Sequence, residues 1–146
     1  LRNAIRYVRN PAIFPSETYK AKQYFEVEYP VVKKEDFEKS SEAYVYEMRW
    51  KKITIAYTKM ESYLIGAEVL WGSDIIGKVK PLKNKINELS MALRQNSMPV
   101  DYRSLTPQQI HNVIYNKGDE NREDDFSKEV NKYIEEITNY LKEKSK

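Results

Sequence analysis

Three polar side chains in the second half of the chain could carry acid–base chemistry. His111 is the single histidine of the sequence, and Arg103 and Tyr115 lie close to it along the chain. An imidazole exchanges a proton near neutral pH, and a guanidinium stabilises developing negative charge. An enzyme that uses Arg103, His111 and Tyr115 is therefore one hypothesis. The competing interpretation is that His111 is a structural residue at or near the surface.

Metal and cofactor sites are not predicted. Asp119, Asn121 and Glu123 alternate as at the start of a calcium-binding loop, but Asp124 replaces the required Gly and Val130 replaces the final Glu. The sequence has 0 Cys, 1 His and 4 Gly, which excludes thiolate metal sites and Gly-rich phosphate loops. We therefore assign no catalytic residue and expect no metal ligand and no bound cofactor.

One basic group favours nucleic acid as a partner. Arg49, Lys51 and Lys52 surround Trp50, and such a mixture of cations with an aromatic ring is typical of surfaces that bind single-stranded nucleic acid. The competing interpretation places Trp50 in the core, so that its neighbours form an ordinary basic flank.

A second basic group favours an anionic membrane surface. Arg2, Arg6 and Arg9 share one side of a short amphipathic stretch, because successive helical residues are about 100° apart. Basic amphipathic stretches are typical of the cytoplasmic edge of a membrane anchor. The chain begins with Leu1 rather than Met, so we expect a segment before it, with a membrane anchor as one form. The alternative is a docked terminal helix with solvated arginines.

Tyrosine is unusually frequent, with 12 residues. Its ring is apolar and its hydroxyl is polar, which suits interfaces and the edges of cores. Tyr19, Tyr24 and Tyr29 lie in a stretch that is bracketed by Pro15 and Pro30, and we interpret them as a candidate partner surface. The alternative is that these rings attach a long connector to the rest of the molecule.

The elements that position these residues are predicted to be helical. In residues 1–33 we expect a short amphipathic helix that ends at Asn10, followed by an irregular connector. Phe25, Val27 and Tyr29 alternate with polar residues there, which favours an extended or weakly helical conformation. Residues 34–146 are predicted to form a helical bundle, and the whole chain one domain.

The central helix of this bundle is predicted from Asp36 to Trp71, about 54 Å long at 1.5 Å per residue. It carries two apolar seams about 160° apart, so it must contact different neighbours along its length. Gly66 could mark a close helix contact. The first seam comprises Phe37, Ser41, Tyr44, Met48 and Ile55, and the second Trp50, Ile53, Tyr57, Met60, Leu64, Ala67 and Trp71.

Three further helical segments follow. The first carries a seam interrupted by Pro81, where we expect a kink or a fresh start. The second begins at Thr106, whose sequence context predicts a capping box with Gln109. Seams with a period near 3.5 predict an all-α, left-handed bundle of three long helices and one or two short ones. The two outer seams are Ile75, Val79, Leu82, Ile86, Leu89 and Leu93, then Phe126, Val130, Tyr133, Ile137 and Tyr140.

The composition fits a folded cytoplasmic domain. The chain has 146 residues, of which 40% are hydrophobic and 32% charged, and its formal net charge is +3. It contains no apolar run of the roughly 18 residues that span a membrane. We expect a non-catalytic interaction or scaffold domain, with a tether before Leu1 as an alternative. Its expected partner is another protein or a second copy at an uncovered seam; an anionic membrane surface and nucleic acid are alternatives.

Overall fold

The computed structural model describes residues 1–28, 34–118 and 123–146. In these ranges the chain is all-helical, which confirms the predicted fold class, and the helices pack as a bundle. The six helices are α1 (Arg2–Val8), α2 (Pro15–Glu28), α3 (Lys34–Trp71), α4 (Asp74–Asn96), α5 (Pro107–Ile114) and α6 (Asp125–Lys144), with a short 3₁₀ turn at Val100–Tyr102.

The long central helix α3 has 38 residues and would measure about 57 Å. It contacts α1, α2 and α4, which agrees with the expectation that it has different neighbours. Ile53 and Leu64 of the second seam are buried, and Trp50 is half-buried against the core. In the first seam Tyr44 faces α2, whereas Ile55 is exposed. The side chain of Phe37, which the first seam also includes, is not among the side chains that the structure describes.

The core is formed mainly by α4 with α3, α5 and α6. Every third or fourth residue of α4 is buried, and α4 continues through Pro81 instead of starting afresh there. A smaller apolar cluster at the far end joins Leu64 and Ala67 of α3 to Ile75 and Val79 of α4. The short helix α1 contributes Ile5 and Val8 to the main core, so the N-terminal residues belong to the same packed unit.

Helix α2 corrects the prediction of an irregular connector. Pro15 occupies the first helical position, and the Glu17 carboxylate accepts a hydrogen bond from the Phe14 N–H, as half of a capping box does. Ala21 is fully buried, and Tyr24 stacks on Tyr44 of α3 with ring centroids 4.7 Å apart. The contact with Tyr44 and the N-terminal cap favour a helix over the extended conformation that the two-residue alternation indicated.

The other local predictions have mixed outcomes. The capping box at Thr106 and Gln109 is present in full. Gly72 ends α3 with a positive φ of 85°, a conformation that glycine adopts without steric cost. Ser73 precedes α4, and its side chain forms no capping hydrogen bond. The calcium-like pattern at Asp119 and Asn121 lies outside the described residues.

Candidate functional site

Arg9 is buried and serves as a structural link between α1, α5 and α6. Its Nε donates to the carbonyl oxygen of Val113 at 2.6 Å, and its Nη1 donates to Ser127 Oγ at 2.7 Å and Asp124 Oδ1 at 3.1 Å. Helix ends leave carbonyls without helical partners, and Arg9 satisfies several at the end of α5. Its Nη2 also donates to the carbonyls of Asn112 and Tyr115. The expectation that Arg9 presents its charge to a membrane was therefore wrong.

Arg49 is buried in a second closed network, which attaches the segment between α1 and α2 to α3. Its guanidinium forms a fork with Glu17: Nε lies 2.8 Å from Oε1, and Nη2 lies 2.7 Å from Oε2. It also donates to the carbonyls of Asn10 and Ala12, both at 2.6 Å. With no free face left, Arg49 cannot contact a nucleic acid backbone in this conformation.

The Glu17 carboxylate is saturated with donors. Besides the Arg49 fork it accepts from Tyr7 Oη at 2.7 Å and from the Phe14 N–H at 2.9 Å. Hydrogen bonding from Arg49 lowers the pKa of Glu17 to about 2, although burial acts in the opposite direction. Both buried arginines thus have structural roles, and neither leaves a group free for chemistry.

The remaining predicted basic residues are on the surface. Lys51 and Lys52 are exposed, and the Lys52 ammonium lies 3.9 Å from the centre of the Tyr7 ring. Arg2 and Arg6 are exposed on α1, where they line a cleft between α1 and α6. Nucleic-acid binding by Lys51 and Lys52 stays a prediction, and Arg49 is no longer part of it because its side chain is buried.

The structure describes two of the three predicted partner tyrosines, and both are partly exposed. The Tyr19 hydroxyl accepts a hydrogen bond from Gln23 Nε2. Tyr24 also stacks on Tyr44 of α3, a contact of the kind that the alternative interpretation expects. Tyr29 lies outside the described residues. A partner surface at these tyrosines stays a prediction.

The hypothetical catalytic group is only partly assembled. His111 is exposed and touches the Tyr115 ring edge to face, with centroids 4.5 Å apart. Arg103 and Tyr115 line the same groove beside α3, where Arg103 donates to the carbonyls of Asn96 and Met98. Burial raises the pKa of Tyr115, so its phenol stays protonated at neutral pH and cannot act as a base.

Across residues 1–28, 34–118 and 123–146, no group of three or more His, Asp or Glu side chains could hold a metal ion. None of the described helices is long and apolar enough to cross a membrane.

The surface that the sequence analysis largely missed is an apolar face on the second half of α3. Five large apolar residues in this stretch are between 69% and 81% exposed. At 100° per residue they fall on one side of the helix, opposite the buried seam. We call this set the α3 apolar face; its members are Ile55, Tyr63, Ile65, Val69 and Leu70.

Small residues lie along the middle of the α3 apolar face. Ser62 and Gly66 are one turn apart on its centre line, and Lys59 lies beside them. A Cβ added at Gly66 would meet no atom within 4 Å, so the fold of the single chain does not require glycine there. A glycine inside a helix costs about 0.5–1 kcal/mol relative to alanine, and its presence suggests close approach by another molecule.

A signal for this face does exist in the sequence. From Tyr63 to Trp71 the helix is apolar on nearly every side, which is typical of a helix that is covered all round. The two-seam interpretation placed Ile55 in the first seam and left the other four residues of the face unassigned. The uncovered ones became visible once the positions of α4 and α6 were known.

Comparisons of the chain with protein-family models, with curated proteins and with solved structures found no match. The function is therefore inferred from the geometry of this chain alone.

Proposed function

We propose that this protein is a non-catalytic helical scaffold domain that associates with a second copy of itself through the α3 apolar face. The single observation that carries the proposal is the exposure of that face. Monomeric proteins rarely leave a contiguous apolar patch above a few hundred Å² in water. The five large side chains expose on the order of 500 Å² together, with Lys59 and Ser62 between Ile55 and the other four.

The area favours a second copy as the occupant. A symmetric dimer would bury this patch twice, on the order of 1,000 Å², and its polar rim in addition. That total reaches the lower end of specific interfaces, so we expect a micromolar dissociation constant. An isologous interface also needs a self-complementary surface. On the α3 apolar face the small residues Ser62 and Gly66 lie beside the larger Ile65 and Val69, and this difference in size would let the large side chains of one copy pack over the small residues of the other.

The length of the face suggests an antiparallel arrangement. It extends from Ile55 to Leu70, about 22 Å along the helix axis, and its midpoint falls at Ser62 and Tyr63. Two antiparallel copies that cross there would cover each other's faces completely. The ridges of one helix would then pack into the groove of the other, as helices commonly do. Lys59 would extend its aliphatic stem along the rim.

The first experiment is sedimentation equilibrium over the micromolar range with two matched variants. Val69→Lys places a charge in the proposed interface, and Val27→Lys makes the same change at a valine of similar exposure on α2. We expect the wild type and Val27→Lys to dimerise, and Val69→Lys to raise the dissociation constant at least about tenfold. A wild type that stays monomeric, or a Val69→Lys protein that dimerises normally, would refute the proposal.

The second experiment tests the arrangement directly. The chain contains no cysteine, so a single introduced thiol reports only on its own neighbourhood. Ser62→Cys lies on the proposed two-fold axis, whereas Ser16→Cys is an exposed control on α2. Under mild oxidation we expect fast disulfide-linked dimers from Ser62→Cys alone. Equal rates for the two variants would contradict an interface centred on Ser62.

A further inference from the structure

A polar cleft between α1 and the first half of α6 has the features of an anion-binding site. Its volume is about 640 Å³. Arg2 and Arg6 line it from α1, one helical turn apart, and Asn131 lines it from α6. Ser127 and Asn116 complete the polar part of the wall. This site is independent of the α3 apolar face.

Several hydrogen-bond donors in the cleft have no acceptor within the described part of the chain. Neither Arg2 nor Arg6 forms a hydrogen bond or ion pair within the described part of the chain. Ser127 Oγ accepts from Arg9, so its own hydrogen remains available. Asn116 Oδ1 accepts from the Gly118 N–H, which leaves its amide hydrogens free.

Among the lining residues that the structure describes, the charge balance in the cleft is positive. Asp124 is neutralised by Arg9 at 3.1 Å, and Glu123 is the remaining carboxylate among the described lining residues, where it accepts from Asn131 Nδ2 at 2.7 Å. Among the described residues of the cleft, the two guanidinium groups that form no ion pair therefore outnumber the one exposed carboxylate. The charge that best matches two adjacent guanidinium groups is a dianion, and a phosphate monoester approaches that charge at neutral pH.

We propose that this cleft binds a phosphate monoester through Arg2 and Arg6. Guanidinium groups form paired, parallel hydrogen bonds with phosphate oxygens, and two of them one turn apart can hold one phosphate. Ser127 and Asn116 supply neutral donors deeper in the cleft. The ester can belong to a soluble metabolite or to a lipid headgroup, because both present the same dianionic group. This site uses two of the three arginines that the sequence analysis assigned to a membrane contact, because Arg9 is buried.

The test is an NMR titration of the full chain with glycerol phosphate, with acetate at equal ionic strength as the control anion. We expect saturable shifts at the cleft residues and an affinity that falls about tenfold in the double variant Arg2→Gln, Arg6→Gln. Arg94→Gln is the matched control, an exposed arginine on α4. Shifts that do not saturate, or an equal loss in Arg94→Gln, would overturn the proposal.

A second pair of variants predicts a change of opposite sign. Glu123→Gln removes the carboxylate of the cleft and should tighten binding about two- to threefold, whereas Glu135→Gln, exposed elsewhere on α6, should not. Tightening by both or by neither would count against a local site.

The source of the ester is then resolved with vesicles of phosphatidylcholine that contain either phosphatidic acid or phosphatidylglycerol. Binding to phosphatidic acid vesicles alone, in competition with glycerol phosphate, assigns a lipid headgroup. Binding of glycerol phosphate without vesicle binding assigns a soluble ester. Equal binding to both vesicle types, insensitive to Arg2→Gln with Arg6→Gln, would overturn a phosphate-specific site.

Discussion

Replacing Glu17 with glutamine should remove one of the strongest electrostatic contributions to the stability of the fold. The Glu17 carboxylate accepts both arms of the Arg49 fork and the Tyr7 hydroxyl. Glutamine has nearly the same shape but no charge, and its amide nitrogen cannot accept a hydrogen bond from Arg49. The variant therefore leaves the buried Arg49 without its counter-ion while packing changes little.

The size of the effect follows from the pKa of Glu17. Arg49 holds that pKa at about 2, against an ordinary value of 4.5. This difference corresponds to about 3 kcal/mol at neutral pH. The pKa is lowered on folding, so this stabilisation is fully present above pH 4.5 and is lost as the pH falls from 4.5 towards 2. The value agrees with the 3–5 kcal/mol typical of breaking a buried ion pair.

The assay is urea unfolding of the wild type and Glu17→Gln at several pH values. We expect a difference of about 3 kcal/mol in the free energy of unfolding at pH 7, shrinking towards zero near pH 2. Asp124, whose pKa is also lowered, is shared by both proteins, so the difference isolates Glu17. Glu26→Gln, in an exposed pair with Lys22, should cost under about 1 kcal/mol. A Glu17→Gln effect that is small or independent of pH would refute this reasoning.

Three further predictions concern single residues. Arg9→Met should lower the free energy of unfolding by about 3–5 kcal/mol, because it leaves buried carbonyls and Asp124 unpaired; hydrogen exchange that does not accelerate in α5 would contradict the proposed link. Thr106→Ala should cost about 1 kcal/mol in thermal unfolding through loss of the capping box, whereas Thr138→Ala, on the exposed side of α6, should cost little; equal losses would count against the cap. Gly77→Ala should raise stability by about 0.5–1 kcal/mol, since its Cβ would meet no atom within 4 Å; a lower urea midpoint would show a contact that the structure lacks.

The local predictions succeeded where neighbours along the chain decide the structure. The seams of α4 and α6 depend on spacing within one helix, and the box at Thr106 and Gln109 depends on residues three apart. The helix α2 was missed although its cap, the bond from the Phe14 N–H to Glu17, is local. The contacts of Glu17 with Arg49 and of Tyr24 with Tyr44 involve α3 and were not visible in the sequence. The alternating residues near its end gave a local signal that the tertiary contacts override.

The roles of the arginines could not be read from the sequence. Arg2, Arg6 and Arg9 are similar in type and spacing, yet only Arg9 is buried. A guanidinium is costly to bury unless its donors find acceptors, and the acceptors of Arg9 come from residues more than 100 positions away. Arg49 differs from its neighbour Lys51 for the same reason.

The sequence by itself therefore determined that the chain is helical, where its long helices lie and which residues of the second α3 seam, of α4 and of α6 face inward. The tertiary structure decided which charges are buried and which apolar residues remain exposed. The physical reason is the range of the interactions. Helical periodicity and capping act within a few residues, whereas burial of an arginine or exposure of Val69 depends on how distant helices are placed around α3.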